Sequence, residues 1–288
     1  MNFSNDEKNR TLKGALYLVA TPIGNLSDIS ERALKVLSEV DFIAAEDTRN
    51  SMRLLTHFGI HKPMLSYFEH NKAERGVQIV ERLKSGETCA LITDAGMPAI
   101  SDPGEDLVRL CAAEGICVTT VPGPCAAVTA LTLSGLPTGR FSFEGFLPAS
   151  KSDRRKTLAE LAGEKRTMIF HEAPHKLRST LEDMAAAFGN DRPLSICREL
   201  TKLNEEVIRT DLGSAVEYYK ENDPRGEFVL VVGGATGSSD ECFWESLSPM
   251  EHVTVYMEQG HSKNDAIKMA AKDRKVPKNE IYRAVLDL

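Results

Sequence analysis

The sequence predicts an α/β protein: two α/β domains enclosing a cleft, followed by a small helical tail. Three observations predict it. Short apolar strands alternate with amphipathic helices from residue 15 to residue 232. Turns of small residues follow the strands at Thr21–Asn25 (TPIGN), Asp94–Gly104 (DAGMPAISDPG) and Val121–Cys125 (VPGPC), where backbone can approach a ligand closely. Beyond Gly237-Ser-Ser only helical patterns continue. The expected divisions are a disordered N-terminal tail (1–13), an N-terminal α/β domain (14–123), a C-terminal α/β domain (124–236) and a helical tail (237–288).

In the first domain, Ala15–Ala20 reads as a strand. Asp28-Ile-Ser-Glu31 then opens a helix with an apolar face of Ile29, Ala33, Val36, Leu37 and Val40. Phe42–Ala45 is the next strand. Helices Arg49–Phe58 and Ala73–Ser85 are closed by Gly59 and Gly86. Cys89–Thr93 and Cys117–Val121 are buried strands, with helix Gly104–Glu114 between them, Asp102 as its N-cap and Pro103 at its first position.

Helix Ala126–Leu133 starts the second domain. Phe141–Phe146, Thr167–His171, Leu194–Arg198, Glu206–Thr210 and Glu227–Val232 read as strands. Helices Asp153–Leu161, His175–Phe188 and Ser214–Tyr219 lie among them, and the run of extended segments near the end predicts a mixed sheet. The tail holds Pro249–Gln259, Lys263–Lys272 and Lys278–Leu286.

Several chemistries lack their residues. No GxGxxG follows the first strand, and GxxxxGK[ST], GxSxG and HExxH are absent. The six cysteines form no CxxC pair, so they read as reduced thiols, and no metal is expected. No apolar run reaches the ~18 residues of a membrane span, and the start MNFSNDEKNR is polar. The chain is therefore expected in the cytoplasm, away from membranes. Its 35 Lys and Arg against 42 Asp and Glu give a net charge of −7, so any nucleic-acid contact must come from local basic clusters.

Seven blocks occur in order: LYLVATPIGNLSDIS (Leu16–Ser30), AEDTRN (Ala45–Asn50), TDAGMPAISDPG (Thr93–Gly104), VPGPCA (Val121–Ala126), FEGFLP (Phe143–Pro148), HEAPHKL (His171–Leu177) and REL (Arg198–Leu200). Together, from Gly14 to Gly234, they resemble the tetrapyrrole-methylase superfamily of S-adenosylmethionine-dependent methyltransferases. TPIGN stands where a GxGPG-like turn is usual and DAGMP where GDP is usual; both are similar to the superfamily's ribosomal branch. That resemblance implies S-adenosylmethionine as methyl donor, held in the interdomain cleft, and a homodimer. It implies 2′-O-methylation of a cytidine ribose in 16S rRNA of the small ribosomal subunit, expected at cytidine 1402 in the decoding centre.

Carried over residue by residue, the resemblance implies that Pro22 faces the methyl-transfer end of the cofactor. Asp94, Ala95 and Gly96 would line its methionine and ribose parts, with Ile100, Ser101 and Asp102 on the other side. Ala126 and Ala127 would lie against the adenosine, and Gly226 would close the site from the second domain.

Taking a proton from a ribose hydroxyl calls for a base or an oriented acceptor. Glu46, Asp47, Asp94, Glu144 and the pair His171-Glu172 are candidates, and Asp47 and Glu172 are the catalytic residues expected. Asp47 could instead cap the following helix, and His171-Glu172 could be a hinge pair. Arg198-Glu199 reads as an internal ion pair.

For RNA contact, Arg49 and Arg53 sit one helical turn apart. Lys151–Arg166 carries six basic residues against three acidic ones, making Lys151, Arg154, Arg155 and Lys156 candidate phosphate contacts. An ordinary solvated helix face is the alternative.

The tail, with seven basic residues from Lys263 to Arg283, could be a packing appendage, a subunit contact, a helix-turn-helix or an RNA-binding accessory. Two other functions stay open: a tetrapyrrole methyltransferase, and a non-enzymatic nucleic-acid-binding regulator using the tail.

Overall fold

The computed structural model describes residues 11–235, Trp244 and residues 247–285. Expectations for the first ten residues, for Cys242 and for the end of the last helix lie outside the described residues. Residues 11 and 12 are bonded to the fold: the Thr11 hydroxyl meets the Glu39 carboxylate, and the Leu12 amide donates to Tyr17 Oη at 2.7 Å.

The first elements are β1 (Leu16–Val19), α1 (Glu31–Glu39), β2 (Phe42–Ala45), α2 (Thr48–His57), β3 (Met64–Ser66), α3 (Lys72–Lys84), β4 (Cys89–Ile92), α4 (Gly104–Ala113) and β5 (Val118–Val121). Their strands form one parallel sheet in the order β3-β2-β4-β1-β5. FIAA and CALI are buried at every position, because helices cover both faces and a strand buried on two sides becomes a continuous apolar run. On one face Val19, Ile43, Ala90 and Ile92 pack with Ala33, Val36 and Leu37 of α1. On the other, Leu16, Phe42, Ala44 and Leu91 pack with Ile79 and Leu83 of α3 and Leu107 of α4.

β3 was not expected. Its three residues are all half-buried, too few and too uniform to show a strand period. β1 leads to β2 on one side of itself, while β4 leads to β5 on the other. The carboxyl ends of β1 and β4 therefore lie side by side where the winding reverses, which is where open sheets hold ligands.

Then follow α5 (Ala126–Ser134), β6 (Phe141–Phe146), α6 (Lys151–Leu161), β7 (Thr167–Glu172), α7 (Pro174–Phe188), β8 (Pro193–Arg198), β9 (Glu206–Asp211), α8 (Leu212–Glu221) and β10 (Phe228–Val232). The second sheet runs β6-β7-β10-β8-β9, with β6 and β7 parallel and the other neighbours antiparallel. Met168, Phe170 and Leu230 pack with Leu158, Leu181 and Leu212 of α6, α7 and α8. The opposite face places Ile169, Cys197, Val229 and Val231 against Ala127, Ala130 and Leu131 of α5, and Ile23 of the first turn joins the same cluster. α5 thus packs with the second sheet. Both sheets belong to one compact unit, Met1–Gly234.

The second unit, Ala235–Leu288, holds α9 (Pro249–Glu258), α10 (Lys263–Asp273) and α11 (Lys278–Ala284). Ser248 and Glu251 form a capping box at α9, and Val253, Ile267, Ala270, Ile281 and Val285 form a small core. Among the described residues no helix is long and apolar enough to cross a membrane.

His252 is fully buried in this small unit; its Nδ1 accepts from Arg274 Nε at 3.1 Å and its ring stacks on Trp244. Burial first, then the Arg274 charge, hold its pKa below the ordinary 6.5, against the pull of Asp273. The folded imidazole stays neutral while the unfolded one takes a proton near pH 6.5. Stability is therefore expected to fall as pH drops through that value. Thermal unfolding followed from about pH 7.5 to 5.5 should show the decline, and His252→Gln should flatten it. An equal slope in the variant would place the effect elsewhere.

Candidate functional site

The turns after β1 and β4 are locked together. Thr21 N–H donates to Gly96 O at 2.9 Å, Gly96 N–H returns a bond to Thr21 O at 3.1 Å, and Thr21 Oγ1 donates to Thr93 O at 3.2 Å. Gly96 sits at φ +85°, which L side chains rarely adopt, and a Cβ there would lie 3.3 Å from Ile23 Cγ2. Pro22 is buried beside this bridge, whereas Asp94 and Ala95 are exposed.

The loop from Ala99 to Gly104 is held by Asp102. Its carboxylate accepts Ala99 N–H at 3.0 and 2.9 Å and Gly104 N–H at 2.7 Å. Helix α4 runs from Gly104, but Pro103 before it already has αR dihedrals, so the Asp102 bond to Gly104 N–H caps the helix start as expected while also tying the loop together. Ala99 and Ser101 both have positive φ, at 66° and 64°. Such strain costs of the order of 1–3 kcal/mol per residue and persists only where surroundings over-determine it. Ile100, between them, is exposed.

Four carboxylates share this edge. Glu46 Oε2 accepts from Thr93 Oγ1 at 3.1 Å, and Asp94 accepts from Asp47 N–H at 3.3 Å and Asn50 Nδ2 at 3.4 Å. Glu46 is exposed by surface area and edges a small concavity with Tyr67, Thr93 and Asp102. Desolvation is the main cause that raises its pKa, and the charges of Asp94, Asp102 and Asp47 add to it. Asp47 goes the other way, down to about 2, because the Arg49 side chain and backbone N–H both bond to it.

The second sheet supplies the facing wall. Gly24 of the first turn packs so closely on the loop after β8 that a Cβ would lie 2.5 Å from Lys202 Cγ, and Asn25 N–H donates to Thr201 Oγ1 at 3.1 Å. That loop is braced by Glu199, which accepts Glu227 N–H and Lys202 Nζ, both at 2.9 Å. Gly226, at φ +87°, lies against the Glu199 side chain. Arg198 pairs with Glu206 at 3.4 Å, so the expected Arg198-Glu199 pair is replaced by two separate pairs. Ala126 and Ala127 open α5, the second buried against the sheet. His171 lies between Phe143 and Phe146, and among the described residues its Nε2 has no hydrogen-bond partner. Burial lowers its pKa, partly opposed by Glu227.

Three expectations change. Asp47 is the N-cap of α2 and accepts from the Arg49 side chain at 3.2 and 2.9 Å, so its carboxylate is already engaged. Glu172 is buried with both oxygens used, Oε1 by Ala173 N–H and Oε2 by Thr180 Oγ1. Both carboxylates are thus already engaged by local partners. Arg154, expected at an RNA surface, is 5% exposed and donates twice to buried Asp183.

The other basic residues are outward-facing. Lys151 and Lys156 are exposed on α6, and Arg155 is exposed with a bond to Asp183. Arg49 and Arg53 edge a shallow concavity of about 610 Å³ with Met52 and His57. A larger concavity of about 920 Å³, between α7 and α8, contains none of these groups. Among the described residues no cluster of three or more His, Cys, Asp or Glu is arranged to hold a metal.

Residues 15–216 match the family model described as Tetrapyrrole (Corrin/Porphyrin) Methylases. A protein of Halalkalibacterium halodurans named ribosomal RNA small subunit methyltransferase I is 52% identical over 277 residues, covering 96% of each chain. Proteins of the same name from Bacillus subtilis and Escherichia coli O157:H7 are 46% and 42% identical, covering 94% and 96% of each chain. Among solved structures, uroporphyrin-III-C-methyltransferase from Thermus thermophilus superposes with TM-score 0.55 at 20% identity, covering 79% of this chain and 98% of that one. A cobalt precorrin-4 methyltransferase gives 0.57 at 18%, covering 76% and 95%. At these identities the two structures share the fold alone.

Proposed function

We propose that this chain, which belongs to the tetrapyrrole (corrin/porphyrin) methylase family and is a methyltransferase, moves a methyl group from S-adenosylmethionine to a cytidine ribose 2′-oxygen in small-subunit 16S rRNA. The observation that carries the reading is the locked pair of small-residue turns at the reversal point of the first sheet, Thr21 bridged to Gly96. Its substrate class follows the relatives that cover nearly the whole chain; the macrocycle-methylating structures share only the architecture.

The residues present fit that cofactor. At Gly104 an added Cβ would come within 2.6 Å of Asp102 Oδ1 and 2.9 Å of Ala99 N, so glycine lets this loop fold tightly on itself, while Asp94, Ala95 and Ser101 beside it stay exposed and open to a ligand. Asp94, Ala95 and Gly96 would hold its methionine and ribose parts, Ile100, Ser101 and Asp102 the opposite side, and Ala126 and Ala127 the adenosine. Pro22 would border the transfer end, and Gly226 would keep the Glu199 brace in place. When bound, the cofactor supplies a methyl group on a sulfonium, which carries its own leaving group.

The protein's share of the chemistry is alignment, which converts a bimolecular encounter into a positioned one. Glu46 is the proton acceptor proposed here: it is exposed just past β2, beside Thr93 at the edge that carries Asp94, and desolvation with the neighbouring carboxylates raises its pKa against the opposing Thr93 bond. It would take the proton that the ribose hydroxyl gives up as the new O–C bond forms. The protein would work in the cytoplasm as a homodimer, with Lys151, Lys156 and Arg53 contacting phosphates.

Labelled S-adenosylmethionine offered together with unmethylated small subunits and, separately, a uroporphyrinogen macrocycle tests the substrate class. Label in the RNA is expected. Label in the macrocycle alone would favour the tetrapyrrole reading.

A further inference from the structure

Phe146 ends an edge strand with 63% of its surface exposed, and the local geometry is built to put it there. The parallel pairing Phe141–Thr167, Ser142–Met168, Phe143–Ile169, continued without interruption, would set Phe146 opposite Glu172. On that face Met168 and Phe170 pack in the core. A bulge between Phe143 and Gly145 inserts one residue, and Phe146 pairs with His171 instead. Because strand side chains alternate, the one-residue shift carries Phe146 to the opposite face. Leu147 takes the inward place in the core.

On its new face the ring meets His171 edge-to-face, with centroids 5.4 Å apart, and His171 meets Phe143 in the same way at 5.2 Å. The bulge itself lies next to the loop after β4. Gly145 holds φ +65°, and a Cβ there would lie 3.4 Å from Ser101 Oγ of the loop after β4. Just beyond, α6 presents exposed Lys151 and Lys156. An exposed ring next to cations suits a nucleotide, whose base has a stacking face and whose phosphates are anionic.

We propose that Phe146, propped by His171, is the stacking platform for an unpaired RNA base beside the methyl-transfer site, and so helps to select the nucleotide presented there. This rests on the reading that ribosomal RNA is the acceptor. Phe146 is a positioning residue in this scheme and takes no part in bond making.

Steady-state methylation of unmethylated small subunits by Phe146→Ala, Phe146→Leu and Phe146→Trp tests it, with calorimetric affinity for S-adenosylmethionine measured on each. Phe141→Ala, which removes an exposed ring at the other end of β6, is the control. F146A and F146L should raise KM for the subunits about tenfold or more, with cofactor affinity unchanged, while F146W restores KM and F141A behaves as wild type. An F146L indistinguishable from wild type, an F146W as impaired as F146A, or a parallel loss of cofactor affinity would overturn the platform. A wild-type protein that labels no ribosomal RNA would overturn the acceptor reading itself, and that arm is read independently of the variants.

Discussion

Alanine in place of Arg154 is expected to cost about 3–5 kcal/mol of folding stability, the usual penalty for breaking a buried ion pair from one side. Arg154 Nε and Nη2 donate to Asp183 Oδ2 at 2.8 and 2.6 Å, and both side chains are almost fully buried. Burial pushes the Asp183 carboxyl up, but the bonds from Arg155 and Arg154 outweigh it and hold it below the ordinary range. With Arg154 removed, the carboxylate keeps, among the described residues, Arg155, whose side chain is 59% exposed. Urea unfolding of Arg154→Ala measures the loss. The double variant Lys151→Ala/Lys156→Ala, altering exposed residues of the same helix, should leave stability within about 0.5 kcal/mol and instead weaken the salt dependence of RNA engagement. A stable Arg154→Ala protein with a defect confined to RNA binding would reinstate the surface role.

The second large effect concerns Asp94. Its oxygens accept only long bonds, 3.3 Å from Asp47 N–H and 3.4 Å from Asn50, and the side chain is exposed at the end of β4. Acceptor capacity therefore remains for ligand hydroxyls. A hydrogen bond to a charged group contributes about 1.5–3 kcal/mol, so Asp94→Ala should weaken S-adenosylmethionine binding roughly ten- to a hundredfold in calorimetry. Asp94→Asn, which keeps one acceptor without the charge, should fall between. Unchanged affinity in both variants would remove Asp94 from the site.

Much of this architecture was legible because strands and helices carry their periods openly. CALI and FIAA declare two-sided burial, and the apolar face of α1 falls where its pattern puts it, although Ser30 caps that helix and not the Asp28–Glu31 box the sequence suggests. Arg154 was hidden by its type rather than its position. It precedes Leu158 by four residues, on the inward face of α6, but a charge run draws attention to solvent. Asp47 and Glu172 sit at strand ends as expected; what sequence could not show is that local partners had already engaged their oxygens. The bulge that turns Phe146 around, and the left-handed backbone at Ala99 and Ser101, depend on tertiary pairing and leave no local period to read.

The most direct test of the central claim is the chemical position of the transferred methyl. Small ribosomal subunits from cells lacking this protein would be labelled from S-adenosylmethionine, and the RNA then hydrolysed in alkali. Label is expected in a cytidine whose 3′ phosphodiester survives, because a methylated 2′-oxygen cannot attack it. Label on a base, in a nucleotide that alkali releases normally, would contradict that expectation.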